Sequence, residues 1–228
     1  NRLPSGEFSQ FCAGTLLSDR LVVTAAHCNT SARHYVIVGR KTINGDGGTE
    51  VKVDSVWRHV DFKKRAPYDA DIAVLVLAQA IDFDALPARA IPVVTRNLSA
   101  RDDVRVMGWG AKVHGGGGSE QLQFVDLDMM NDTACADGYS DTRLPVTDNM
   151  MCASRENKDA CQGDSGGGAY YIESGIEETV YLAGIVSYGI GCSDQKYHGV
   201  YTRAYNFRDW LSGVSRALAN MGGGVNEI

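Results

Sequence analysis

The 228-residue sequence has no apolar run near the roughly 18 residues that a membrane-spanning helix needs. Its opening, NRLPSGEFSQ, is polar and contains no apolar core of a secretion signal. No C-x-x-C pair occurs, so zinc-ribbon and thioredoxin-like spacings are not indicated. Cations do not dominate either. A formal net charge of −6 and a pI of about 5.3 argue against a protein built to neutralise phosphates, and no nucleic-acid partner is expected. The glycine run at 115–118 lacks the Lys-Ser/Thr and the following helix that a phosphate cradle requires. No repeat of about 20–50 residues is visible.

What is present points to a folded, disulfide-bearing chain. Hydrophobic residues make up 44%, enough for one large or two small β units, and a 22% charged fraction lies far from disordered compositions. Six cysteines stand at 12, 28, 135, 152, 161 and 192. An even count without metal spacing indicates disulfides and an oxidising compartment, with every pairing open at this level. The acidic balance suits a basic substrate, but it is equally an ordinary solubility device.

Short β-like runs fill the chain: 21–23, 35–38, 51–53, 72–77, 104–107, 122–129, 169–172, 180–186 and 200–201. Turn signals such as Asn44-Gly45 and Asp137-Gly138 separate them, a pattern of all-β barrels or sandwiches. One helix is predicted near the C-terminus. Asn206 is its candidate cap, and Phe207, Trp210, Leu211, Val214 and Leu218 form one apolar stripe. Residues 91–103, with Pro92 and a polar stretch, form the best boundary, dividing the chain into units 1–98 and 99–228.

Gly163-Asp164-Ser165-Gly166-Gly167 fits G-x-S-x-G, a weak signal alone because such residues cluster in ordinary turns. A serine hydroxyl needs a base to take its proton and fixed donors for the oxyanion. His27 ends a hydrophobic run and two alanines, directly before Cys28. Asp71 leads into the apolar run 72–77, and a buried carboxylate there would need a partner such as an imidazole N–H. The α/β-hydrolases that share G-x-S-x-G run serine, acid, histidine. Here the order is His27, Asp71, Ser165, and His198 follows Ser165 too closely for the required β/α units.

With these residues in view, the chain resembles the trypsin-like serine protease family from Phe11 to about Asn220. The matching stretches are FCAGTLLSDRLVVTAAHC, DIAVLVL, MGWG, CQGDSGGG, GIVSYGIGC and HGVYTR. The resemblance implies an all-β fold of two antiparallel six-stranded β-barrels with a C-terminal α-helix and the active site between the barrels. It implies Ser165 as nucleophile, His27 as base and Asp71 as orienter, with the Gly163 and Ser165 N–H groups as oxyanion hole. It also implies the pairings Cys12–Cys28, Cys135–Cys152 and Cys161–Cys192. A further family bridge would join positions held here by Val104 and Tyr171. Asp159 aligns with the floor of a pocket selecting Arg or Lys, with Gly189 and Gly199 as open walls. Ala160 stands where many relatives carry serine, which predicts Arg over Lys. Ser187, Tyr188 and Gly189 align with the segment that pairs with substrate backbone, and Tyr139 aligns near the pocket rim or simply packs. Arg40 replaces a carboxylate of calcium-binding relatives, so no calcium is expected in that loop, and the resemblance calls for no other metal and no cofactor. The implied partners are peptide or protein substrates with Arg or Lys before the cleaved bond, an activating protease and protein inhibitors. The implied location is secreted.

Two departures matter. Active relatives begin at a freshly cut Ile-Val-Gly-Gly whose ammonium pairs with the carboxylate before the catalytic serine, here Asp164. No such start is present: the segment is unseen, is a separate chain, or is replaced by another way to order Asp164, and the first, favoured here, gives the expectation of a zymogen or zymogen-like state in which Asp164 lacks that partner. The tail at 222–228 extends past the usual family end. Asn29, Asn97 and Asn131 begin N-x-Ser/Thr sequons, relevant only in a glycosylating source. The alternative function is a catalytically silent binding or regulatory protein on the same fold, which the intact His27, Asp71, Ser165 and Gly163 oppose.

Overall fold

The computed structural model describes residues 9–45, 47–111, 115–156, 163–175, 178–191 and 196–221. In the first half, β1 (Thr15–Leu16), β2 (Leu21–Thr24), β3 (Tyr35–Val38), β4 (Thr49–Arg58) and β5 (Ala73–Leu77) pair in the order β1-β2-β5-β4-β3. The strands form where branched residues accumulate. β2 and β5 are buried along their whole length, while β4 alternates, turning Val51 and Val53 inward and Glu50, Lys52 and Asp54 to solvent.

In the second half, β6 (Asp103–Gly108), β7 (Gln123–Met129), β8 (Met150–Ser154), β9 (Gly168–Glu173), β10 (Thr179–Tyr188) and β11 (Gly199–Arg203) close into a barrel in the order β10-β11-β8-β7-β6-β9. Closure leaves no free strand edge in that unit. The two-barrel expectation is therefore corrected. The first sheet is open and five-stranded, because the described strands β1 and β3 do not pair with each other. Between those edges lies an apolar cavity of about 420 Å³, lined by Leu16, Val36, Val38 and Tyr170 among others.

The C-terminal helix, α2 (Arg208–Asn220), begins two residues later than its candidate cap Asn206, after a 3₁₀ turn at Ala204–Phe207. The amide of Asn206 is engaged elsewhere, donating to the Asp148 carbonyl at 2.9 Å and to Asn149 Oδ1 at 3.3 Å. A short helix not anticipated from the sequence, α1 (Asp132–Gly138), is capped by Asn131, whose side chain accepts from the Thr133 N–H at 2.9 Å.

One core cluster joins the two halves. Leu21, Val23, Ile72 and Val74 of the open sheet pack with Leu182 and Ile185 of the barrel and with Phe207, Leu211, Val214 and Leu218. Each fully buried aliphatic side chain contributes on the order of 1.5–3 kcal/mol, so this shared cluster holds the sheet against the barrel. Of the residues singled out for chemistry, Asp71, Ser165 and Ser187 make contacts across that seam, and His27 is bonded to Asp71.

Candidate active site

His27 and Asp71 come from different strand ends. β2 runs out at Thr24, and the chain turns through a 3₁₀ segment, Ala26–Cys28, that lifts His27 to the rim. The disulfide Cys12–Cys28 ties that turn to the start of the sheet. Asp71 sits two residues before β5 and is completely inaccessible to solvent. Its carboxylate is fully occupied. Oδ2 lies 2.6 Å from His27 Nδ1 and accepts the Ser187 hydroxyl at 2.6 Å, while Oδ1 accepts the His27 backbone N–H at 2.8 Å. The Thr202 hydroxyl donates to the Asp71 carbonyl at 2.9 Å.

These bonds decide the chemistry of the ring. An ionised carboxylate only accepts, so Nδ1 carries the proton and Nε2 is left as the basic nitrogen. Burying Asp71 without such partners would cost several kcal/mol. Ser187 and Thr202 are barrel residues, so the barrel itself completes the environment of a carboxylate supplied by the open sheet. The sequence placed Ser187 only in a substrate-pairing segment and gave no role to Thr202. Both contacts span more than a hundred residues, which no local pattern reveals.

Ser165 lies on the tight turn leading into β9. Gly163 and Gly166 flank it at φ +101° and +80°, conformations that favour glycine. A Cβ on Gly166 would come within 2.2 Å of Thr24 Oγ1 and 2.5 Å of the Ala13 carbonyl, so the turn is pressed against β2. The Ser165 carbonyl accepts from Ala13 N–H at 2.8 Å and the Gly166 N–H donates to Val186 at 2.8 Å, fixing the serine between the two halves. Among the described residues, the N–H groups of Gly163 and Ser165 donate to no protein acceptor. Asp164 is buried, and its Oδ1 accepts the Gly110 N–H at 2.8 Å.

An aromatic wall stands beside His27. Tyr68 meets the His27 ring edge-on at 5.8 Å and stacks on Tyr188 at 4.7 Å. Tyr139, buried to 1% exposure, meets Tyr188 edge-on at 5.6 Å, and its hydroxyl donates to the His198 carbonyl. Burial pushes the Tyr188 phenol upward, with the neighbouring tyrosines adding to the shift, so it stays neutral with its hydroxyl 3.6 Å from Met150 Sδ. Gly199 opens β11, paired with Ala153, and Gly189 follows β10. Asp159, Ala160, Cys161 and Cys192 lie outside the described residues. A second disulfide joins Cys135 to Cys152. Arg40 directs its guanidinium at the Ile43 and Gly47 carbonyls.

Comparison with known proteins gives the family. The trypsin family profile matches residues 2–211. A trypsin of the mite Tyrophagus putrescentiae, Tyr p 3.0101, is 34% identical over 92% of this chain and 74% of its own length. The vitellin-degrading protease of Bombyx mori is 38% identical over 88% of the chain and 74% of its own length. The alkaline trypsin C of Manduca sexta is 35% identical over 91% of the chain and 80% of its own length. The open sheet, the closed barrel and the His27–Asp71–Ser187 contacts at their seam thus occur in a chain that belongs to the trypsin family of serine endopeptidases.

Proposed function

We propose that this endopeptidase cleaves peptide bonds after Arg, and less readily after Lys, with Ser165, His27 and Asp71 as its catalytic residues. The observation that carries the reading is the fully buried Asp71 carboxylate held 2.6 Å from His27 Nδ1. His27 Nε2 takes the Ser165 proton as Oγ bonds to the scissile carbonyl carbon. The N–H groups of Gly163 and Ser165, unused within the described protein, receive the oxyanion. Collapse breaks the C–N bond, the imidazolium returns its proton to the leaving amine, and the acyl group remains on Ser165. Water then repeats the sequence and releases the acid.

The preference for a basic residue rests on Asp159 within the motif 159–167 and on the relatives named trypsins. A carboxylate at the floor of a slot rewards a long cation, and Arg reaches it bidentately. Ala160 removes a hydroxyl that would favour Lys. Secretion is part of the same reading, supported by the two disulfides. No described helix is long and apolar enough to cross a membrane.

The test is hydrolysis of matched Arg- and Lys-anilides by the purified protein, before and after brief exposure to an activating protease, with Ser165→Ala as control. Arg-anilide turnover that vanishes in Ser165→Ala supports the assignment. Equal turnover of the two anilides would overturn the Arg preference. Silence in both samples from a folded protein would favour the binding-protein alternative.

A further inference from the structure

Directly after Cys28, the chain forms a turn that carries and meets cationic side chains. Asn29 takes a left-handed conformation at φ +50°, and the chain closes back through the His34 N–H donating to the Ser31 carbonyl at 3.0 Å. His34 Nδ1 accepts the Ser31 N–H at 2.9 Å, so its other ring nitrogen carries the proton. The ring packs against Phe11 at 5.0 Å. Arg58, the last residue of β4, reaches across to this turn and donates to the Thr30 carbonyl and to Asn29 Oδ1. Arg33 projects from the turn into solvent.

Together these residues line an open cleft that also includes Cys28 and Phe11 and, among the described residues, no carboxylate. The molecule has a net charge of −6, and Arg40, Arg65, Arg96, Arg105, Arg155 and Arg203 each have an Asp or Glu partner. Arg33 and Arg58 have none among the described residues, as is also true of Arg89, Arg101, Arg143, Arg208 and Arg216, but these two line one cleft. Arg58 is bound only to neutral oxygens, which position its guanidinium without cancelling its charge. Thr30 lines the same cleft, 6% exposed, and its hydroxyl has no hydrogen-bond partner among the described residues.

The location gives this charge a substrate. The serine turn is held between Val186, next to the Ser187–Gly189 segment and bonded by the Gly166 N–H, and Ala13, next to Cys12 and Phe11, whose N–H donates to the Ser165 carbonyl. If the acyl half of the substrate lies along Ser187–Gly189, the leaving half runs over the Cys12–Cys28 bridge toward this cleft. We infer that the cleft formed by Arg33, His34 and Arg58 is a subsite for an acidic side chain, Asp or Glu, on the leaving-group side of the cleaved bond. This rests on the proposed function above, which supplies the direction of the substrate. Guanidinium–carboxylate pairing of this kind is partly solvent-screened, so it sets selectivity rather than overall rate.

The experiment uses the full chain and a set of internally quenched peptides with Arg before the cleaved bond. Each of the first three leaving-group positions is set in turn to Glu, Gln or Lys. At one position, kcat/KM for Glu exceeds that for Lys by about fivefold at low salt, and the ratio falls toward one at high salt. Arg33→Glu inverts the ratio, Arg33→Lys retains it, and Arg58→Gln reduces it. Because the readout is a ratio within each enzyme, a variant with less folded protein still reports. A Glu-to-Lys ratio within about twofold at all three positions, or one that Arg33→Glu leaves unchanged, overturns the inference while leaving peptide cleavage intact. Failure to cleave either the Arg-anilide or any peptide defeats the proposed function itself, and the subsite with it.

Discussion

Asp69 and Asp71 stand on either side of Ala70, a non-glycine residue held at φ +50°, and each carboxylate is buried in a different hydrogen-bond set. Asp71 faces His27 and Ser187. Asp69 faces the other way, accepting two bonds from Arg65, at 2.8 and 3.1 Å, one from Thr147 at 2.7 Å and one from Asn149 at 3.1 Å. A left-handed alanine costs about 1–2 kcal/mol and persists only where its neighbours are fixed. The Asp69 network therefore pins the segment before β5 to the barrel and sets the backbone from which Asp71 projects.

Asp69→Ala removes that anchor and leaves donors on Thr147, Asn149 and Arg65 without their acceptor. A loss of about 2 kcal/mol is expected by urea denaturation, less than for a fully buried pair because Arg65 is half exposed. Burial pushes the Asp69 carboxyl up, but the bonds from Arg65, Thr147 and Asn149 outweigh it and hold it below the usual range. Its contribution is thus present above the unfolded carboxyl range and disappears as pH falls through the depressed value. Kinetically, kcat should fall more than KM rises, since Asp71 is displaced rather than the substrate cleft. Unchanged kcat in a destabilised variant would limit Asp69 to a structural role.

Asp71→Asn tests the tautomer argument. An amide can donate to His27 Nδ1, which would move the ring proton to Nε2 and remove the base. A loss of kcat of about four orders of magnitude is expected, by analogy with the general serine-protease template. Ser187→Ala removes one of three donors to the carboxylate and should cost roughly tenfold. Steady-state hydrolysis of an Arg-anilide separates the two effects.

The local parts of this arrangement were legible in the chain. The stretch before Cys28 and the acid before the apolar run 72–77 carry neighbouring signals for the two residues that the structure brings together, His27 and Asp71, and the glycines of 163–167 signal the tight turn. The strand runs were legible for the same reason, since branched residues concentrate in them. What escaped depends on residues far apart. Whether a sheet closes is decided by the meeting of its edges, here β1 and β3, and neither edge carries a mark of its partner. The Ser187 and Thr202 bonds to Asp71 are likewise set by how the barrel docks. The start of α2 shifted because Asn206 found acceptors at Asp148 and Asn149 instead of the helix end. α1 is too short for a periodic stripe, and only its cap Asn131 could have signalled it.

Gly166→Ala probes the contact between the serine turn and β2. The substitution combines a positive φ with a Cβ placed against backbone and the Thr24 hydroxyl. Strain and overpacking together should cost about 2–4 kcal/mol. Because Gly166 is bonded to Val186 directly beside Ser187, activity should fall further than the loss of folded protein accounts for. Active-site titration against melting temperature distinguishes these contributions. A variant that is as stable and as active as the parent would show that the turn moves freely, contrary to the packing described.

His59 links the open sheet to α2 and makes that junction sensitive to acid. Its ring meets Phe207 at 5.1 Å and Trp210 at 5.0 Å, and its Nδ1 accepts the Asp61 N–H, which requires an unprotonated nitrogen. Burial lowers its pKa below the ordinary 6.5, against the opposing pull of the Asp61 and Asp69 carboxylates, with Lys64 adding to the lowering. The sign follows from linkage. Below about pH 6.5 the unfolded chain takes up a proton that the folded chain resists, so stability falls until the folded value is passed. Above that range the contribution is fully present. Replacing the imidazole by an aromatic ring that cannot titrate, His59→Phe, should flatten the stability slope between about pH 5 and 7 while retaining contact with Phe207 and Trp210. Thermal melts of both proteins across that window provide the measurement. Parallel slopes would show that protonation at the α2 junction does not contribute, and would place the acid sensitivity of the fold with its carboxylates instead.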